Sequence, residues 1–98
     1  MRVMLRARMD TQIANEAIRN GSLPKLMQSM TEQLKPEAAY FGPTRGGRSC
    51  TFVFDMQDSS QMPSIAEPLF QELGAEIEIH PVMNGEDMRK GLASLKQD

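Results

Sequence analysis

TRGGRSCTFVFDM, Thr44–Met56, is the stretch whose reading decides the fold. Two glycines stand between two arginines, and an apolar, partly aromatic run follows. Such a pair suits a loop that cradles phosphate, a strand that reads RNA, or a tight turn feeding a core strand. Phosphate loops lead into a helix N-terminus and carry a Lys-Ser/Thr pair after the glycines, whereas here a β-rich run follows. The turn is the better reading. Gly46 and Gly47 are expected as a two-residue hairpin loop joining strands over 37–43 and 48–56.

That loop sets a register in which Arg45 faces Arg48, Phe41 faces Phe52, Ala39 faces Phe54, Tyr40 faces Val53 and Ala38 faces Asp55. Side chains alternate across a strand, so one face collects Ala39, Phe41, Cys50, Phe52, Phe54 and Met56. The other collects Ala38, Tyr40, Gly42, Thr51, Val53 and Asp55. The first is richer in large apolar groups and is expected under the helices. RNA binding is disfavoured by the same assignment. Arg48, Phe52 and Val53 match the octamer of RNA-recognition strands, but Ser49, Cys50, Thr51 and Asp55 do not, and Phe52 and Phe54 point inward.

Outward from the hairpin, Arg2 to Arg8 alternates Val3, Leu5 and Ala7 against Arg2, Met4, Arg6 and Arg8, the period of a half-buried strand. Asp10 or Thr11 caps a helix striped with Ile13, Ala14, Ala17 and Ile18 that Gly21 stops. Ser22 caps a second helical piece carrying Leu23, Leu26, Met27, Met30 and Leu34, with Pro24 in its first turn and a break at Pro36. Beyond the hairpin, Ser59 or Ser60 caps a helix striped with Met62, Ile65, Ala66, Leu69, Phe70 and Leu73, ending at Gly74. Pro68 inside it is expected to kink or restart it. Residues 75–83 alternate again as a fourth strand, with Glu76, Glu78 and His80 opposite Ala75, Ile77 and Ile79. Asn84 caps a tail helix with Met88, Leu92 and Leu95 on one side.

The order β-α-β-β-α-β plus a C-terminal helix is that of an α+β, ferredoxin-like sandwich with sheet order 4-1-3-2. Residues 1–98 are read as one such domain. Helices cover one sheet face, and the other is left open with Tyr40, Asp55, Arg6, Arg8 and His80 on it. Small chains rarely leave an apolar-bearing face wet, so a homodimer is expected. Arg6 and Arg8 are expected to meet Glu76 or Glu78 across the ladder, each exposed pair worth about 0.2–1 kcal/mol.

Composition excludes more than it assigns. Formal net charge is −2, which argues against nucleic acid or an acidic membrane as partner. Cys50 is the one cysteine, which excludes an internal disulfide; with no long apolar run, the expected compartment is the cytoplasm. Nine methionines scatter without ligand spacing and read as adaptable packing. One histidine among scattered carboxylates lacks metal-ligand spacing, so neither metal nor cofactor is expected. Candidate chemistry therefore falls to His80 as acid or base, with Tyr40, Asp55 or Glu78 to orient it, and to Arg6, Arg8, Tyr40 and His80 as ligand-binding groups. Glu67, beside Pro68, reads as a solvated helix residue, and Cys50 as inert core.

The segments KPEAAYF, GGR, FDM, PSIAEPLFQEL and IHPVMNGED together resemble a group of small, uncharacterised bacterial proteins of the dimeric α/β-barrel superfamily. The resemblance spans nearly the whole chain. It implies two ferredoxin-like sheets closed back to back, with a lumen on the open faces that Tyr40, Arg6, Arg8, Asp55 and His80 would line. The superfamily includes cofactor-free monooxygenases, muconolactone isomerase and heme-degrading enzymes, and the heme-degrading pattern fails here for want of a tryptophan. A small molecule bound or transformed in that lumen is the expected function; the alternative is a non-enzymatic, self-associating module whose face Met4, Val53, Tyr40 and ion pairs fill.

Overall fold

The structure is a computed structural model that describes residues 1–95. Its elements run β1 (Arg2–Arg8), α1 (Thr11–Arg19), α2 (Ser22–Leu34), β2 (Ala38–Thr44), β3 (Gly47–Asp55), α3 (Met62–Leu73), β4 (Glu76–Pro81) and α4 (Gly85–Ala93), with a 3-10 turn at Ser59–Gln61 before α3. All strand pairs are antiparallel, and the sheet order is β2-β3-β1-β4, the expected 4-1-3-2 read from the other edge. The protein is an α+β ferredoxin-like sandwich.

The alternation seen in the sequence is what fills the core. Val3, Leu5 and Ala7 from β1 and Cys50, Phe52 and Phe54 from β3 are buried beneath Ala14 and Ala17 of α1, Leu26, Met30 and Leu34 of α2, and Ile65, Leu69 and Leu73 of α3. Ile77 and Ile79 are only partly buried, because β4 is an edge strand. Fully burying a side chain such as Phe52 or Leu69 is worth about 1.5–3 kcal/mol. The two sequence-distant central strands, β1 and β3, thus carry most of the sheet's contribution.

The stripes read from sequence are wider than the surface available to bury them. Ile13, Ile18, Met62 and Phe70 remain exposed, because each helix meets a sheet only four strands wide. Phe41 is also exposed despite lying on the helical face, because β2 is an edge strand; its ring meets Phe52 edge-on at 5.9 Å. Caps differ too. Asp10 caps α1, accepting from Ile13 N at 2.9 Å. Gly21, with φ 81°, stands at the N-cap of α2, and Asn20 Oδ1 rather than a Ser22 hydroxyl satisfies Ser22 N. Asp58, not Ser59 or Ser60, opens the turn before α3 in a reciprocal capping box with Gln61. Pro68 is accommodated inside an uninterrupted α3. The expected restart there does not occur.

The hairpin differs from the expected one in an instructive way. Thr44 pairs with Gly47, so the loop is Arg45–Gly46, and Phe41 faces Cys50, Ala39 faces Phe52, Tyr40 faces Thr51 and Ala38 faces Val53. Each partner is displaced by two residues from the expected register. An even displacement preserves which face every side chain takes. Arg45 and Gly46 both have positive φ, 49° and 78°, the requirement of the two-residue turn whose twist matches its strands.

Candidate functional site: the open sheet face

Cross-strand register arranges the open face as rows. Gly42, Ser49, Arg8 and Glu76 form one; Tyr40, Thr51, Arg6 and Glu78 the next; then Ala38, Val53, Met4 and His80; and finally Asp55 with Arg2. Charge gathers toward the hairpin end. There Arg6, Arg8, Thr44, Arg45, Ser49, Glu76 and Glu78 line a concavity of about 150 Å³ with Ile77.

Backbone geometry builds that concavity. Arg8 lies over Gly47, Nε donating to the Thr44 carbonyl at 3.3 Å and Nη2 to the Arg45 carbonyl at 3.1 Å. Beneath it, buried Ser49 donates from Oγ to the Gly42 carbonyl at 2.7 Å and shares a 2.8 Å hydrogen bond with Thr44 Oγ1. Glu76 pairs with Arg45 at 3.4 Å rather than with Arg8, which stands opposite it. Arg6 is opposite Glu78, yet among the described residues it forms no ion pair. The ladder pairs expected for Arg6 and Arg8 are therefore replaced by the turn clamp and by an uncommitted guanidinium.

The structure brings Arg6 and Arg8 together and keeps the other candidates apart. His80 sits opposite Met4 on β4, and Tyr40, 70% exposed, sits on β2 at the far edge. Three strand spacings, about 14 Å, separate them within one chain. Asp55 lies at the opposite end of the sheet, where the Met1 ammonium reaches Oδ1 at 2.6 Å and Gln57 Nε2 reaches Oδ2 at 2.7 Å. That ammonium, by hydrogen bond and charge, and then Gln57 hold the Asp55 carboxyl below its ordinary range. Asp55 is thus occupied elsewhere and does not orient His80. Burial pushes the Cys50 thiol up to about 11, which removes it as a nucleophile.

Arg45, Ser49 and Thr44 were missed by sequence reasoning. Placing the loop at Gly46–Gly47 put Arg45 and Arg48 on one footing; the signal that separates them is parity, since Arg45 is a loop residue and Arg48 shares a face with Cys50. A second arginine site was also missed. Arg2 joins both Glu37 and Asp87, tying α4 to the sheet, and the Glu37 hydrogen bond is the largest influence raising the Arg2 pKa. Among the described residues, no helix is long and apolar enough to cross a membrane.

Comparison with known proteins bears on family and fold. The family described as a domain of unknown function, DUF3303, matches residues 1–96. No curated protein matches the chain. Among solved structures, the de novo designed protein Ferredog-Diesel is similar at 8% identity and TM-score 0.50, over 83% of this chain and 85% of that one. At that identity the likeness is one of fold.

Proposed function

We propose a function for this chain, which belongs to the DUF3303 family, as a homodimer that holds a small oxyanion-bearing ligand, a carboxylate or phosphate, between two open sheet faces. The observation that carries the reading is the concavity around Arg6, with a guanidinium uncommitted among the described residues and a hydrogen-bonded polar floor. Arginine matches carboxylate and phosphate bidentately, and Ser49 and Thr44 add hydroxyls beside it. At about 150 Å³ the concavity is half of what the smallest ligand pockets take, about 300 Å³. A second copy across the face supplies the other half. This is the back-to-back arrangement of the dimeric α/β barrels that the sequence resembles, and the lone buried cysteine accords with a cytoplasmic setting.

Tyr40 and His80 enter the same reading as groups brought to the lumen from opposite edges of two copies. Their separation within one chain makes binding, rather than acid–base chemistry in a single protomer, the role proposed. The test is a thermal-shift and calorimetric titration with inorganic phosphate and with two- to six-carbon mono- and dicarboxylates. A rise in Tm by at least one of them, lost in Arg6→Ala, supports the pocket. No shift with any of them contradicts it. A second reading, a self-associating module without ligand, draws on the apolar row Ala38, Val53 and Met4; it predicts a dimer with no such response.

A further inference from the structure

Two carboxylates line the concavity that holds Arg6, and a bare oxyanion gives neither of them a role. Glu76 and Glu78 stand on β4 opposite Arg8 and Arg6. Most of the charge there is already committed. Arg8 donates to the Thr44 and Arg45 carbonyls, and Glu76 pairs with Arg45 at 3.4 Å. Arg6 and Glu78 are left over. They are register partners on adjacent antiparallel strands, exposed on the same face, and among the described residues neither forms an ion pair.

A cation and an anion side by side make a site with two poles. Arginine offers its fork to a carboxylate, and a carboxylate accepts charge-assisted hydrogen bonds from an ammonium. A phosphate or a plain carboxylate on Arg6 lies against the like charge of Glu78, whereas a zwitterion answers both poles. Any pairing of Arg6 with Glu78 themselves is exposed and therefore weak, so such a ligand displaces it at little cost.

The rows on either side give the ligand a direction. Toward the hairpin lies the charged row of Arg8 and Glu76. The other way, two residues or about 7 Å along β1, lies the row of Ala38, Val53 and Met4. Met4 and Val53 are only half-buried, so an apolar chain leaving the site in that direction removes them from water.

We propose that Arg6 and Glu78 together bind an α-amino acid with an apolar side chain: carboxylate on Arg6, ammonium on Glu78, side chain over Met4 and Val53. This rests on the open-face pocket proposed above and names its ligand class. Every contact it uses comes from one chain.

The test is calorimetric titration of the full chain with norleucine, with hexanoate and pentylamine, which each lack one pole, and with glycine, which lacks the apolar tail. Norleucine is expected to bind, and each of the other three at least about tenfold more weakly. Glu78→Gln should bring norleucine down to the affinity of hexanoate without weakening hexanoate, and Arg6→Ala should abolish both. Both positions are exposed, and an unchanged Tm of each unliganded variant separates lost binding from lost folding. Hexanoate as tight as norleucine, or a Glu78→Gln chain that keeps the preference, overturns the amino acid while leaving the oxyanion pocket standing. Glycine as tight as norleucine overturns the side chain's place over Met4 and Val53. No binding by any of the four, nor by phosphate or the other carboxylates, overturns both readings.

Discussion

Arg8 lies against Gly47 so closely that a Cβ on the glycine would stand 3.0 Å from Nε and 3.1 Å from both Cζ and Nη2. The two residues make one device: the missing side chain lets the guanidinium reach the Thr44 and Arg45 carbonyls. Gly47→Ala is therefore expected to displace Arg8 and cost about 1 kcal/mol in urea denaturation through the lost hydrogen bonds. In an Arg8→Ala background the same change should stabilise by about 0.5–1 kcal/mol, since alanine suits a strand better than glycine. Equal effects in both backgrounds would show that the two residues are not coupled.

Gly46 works by backbone alone. A methyl there meets nothing within 4 Å, but φ is 78°, so Gly46→Ala should cost about 1–2 kcal/mol with no dependence on Arg8. Arg45→Asn should stabilise by up to about 1 kcal/mol, because asparagine tolerates the left-handed region in which Arg45 sits at φ 49°. The gain is predicted to be larger in high salt, where the exposed pair to Glu76 that the change removes contributes least. Denaturation at two salt concentrations measures both.

Asp55 gives a pH dependence of definite sign. Its folded pKa is depressed, by the Met1 ammonium first and then Gln57, so the stability it contributes is full above the unfolded carboxylate value and is lost as pH falls through the folded one. In a carbon-detected NMR titration, Asp55 should titrate below the ordinary aspartate range. Gln57→Ala should move it upward. A midpoint at the ordinary value would remove the contact from the account.

Cys50 is fully buried, with its thiol raised to about 11. A thiol reagent at neutral pH should leave the folded protein unmodified for hours and modify one thiol per chain at once in denaturant. Reaction at the same rate in both states would contradict its place beneath the helices.

Much of this architecture is legible in the sequence because alternation is a strong signal. Val3, Leu5 and Ala7 against Arg6 and Arg8, and Phe52 and Phe54 against Thr51 and Val53, take the faces their alternation assigns them. The turn was less legible, since any of three adjacent dipeptides can be written as a loop and glycine is the natural occupant of positive φ; nothing local says that Arg45 takes that conformation and that Gly47 is reserved for Arg8. The two-residue displacement this caused did not disturb the faces, so the site face survived a wrong register. What the sequence could not convey is competition for partners: Asp55 is drawn to Met1, Arg8 to the turn, and Glu76 to Arg45. Helical stripes likewise report apolar capacity rather than its use, which is why Phe70 is exposed and no residue of α4 is buried among the described residues.

The proposed function requires two copies closed over the open face, and mass in solution reports on that closure. Size-exclusion chromatography with light scattering on the full chain at micromolar concentration should return twice the 11.0 kDa of one chain. A stable species of 11.0 kDa at that concentration would contradict it.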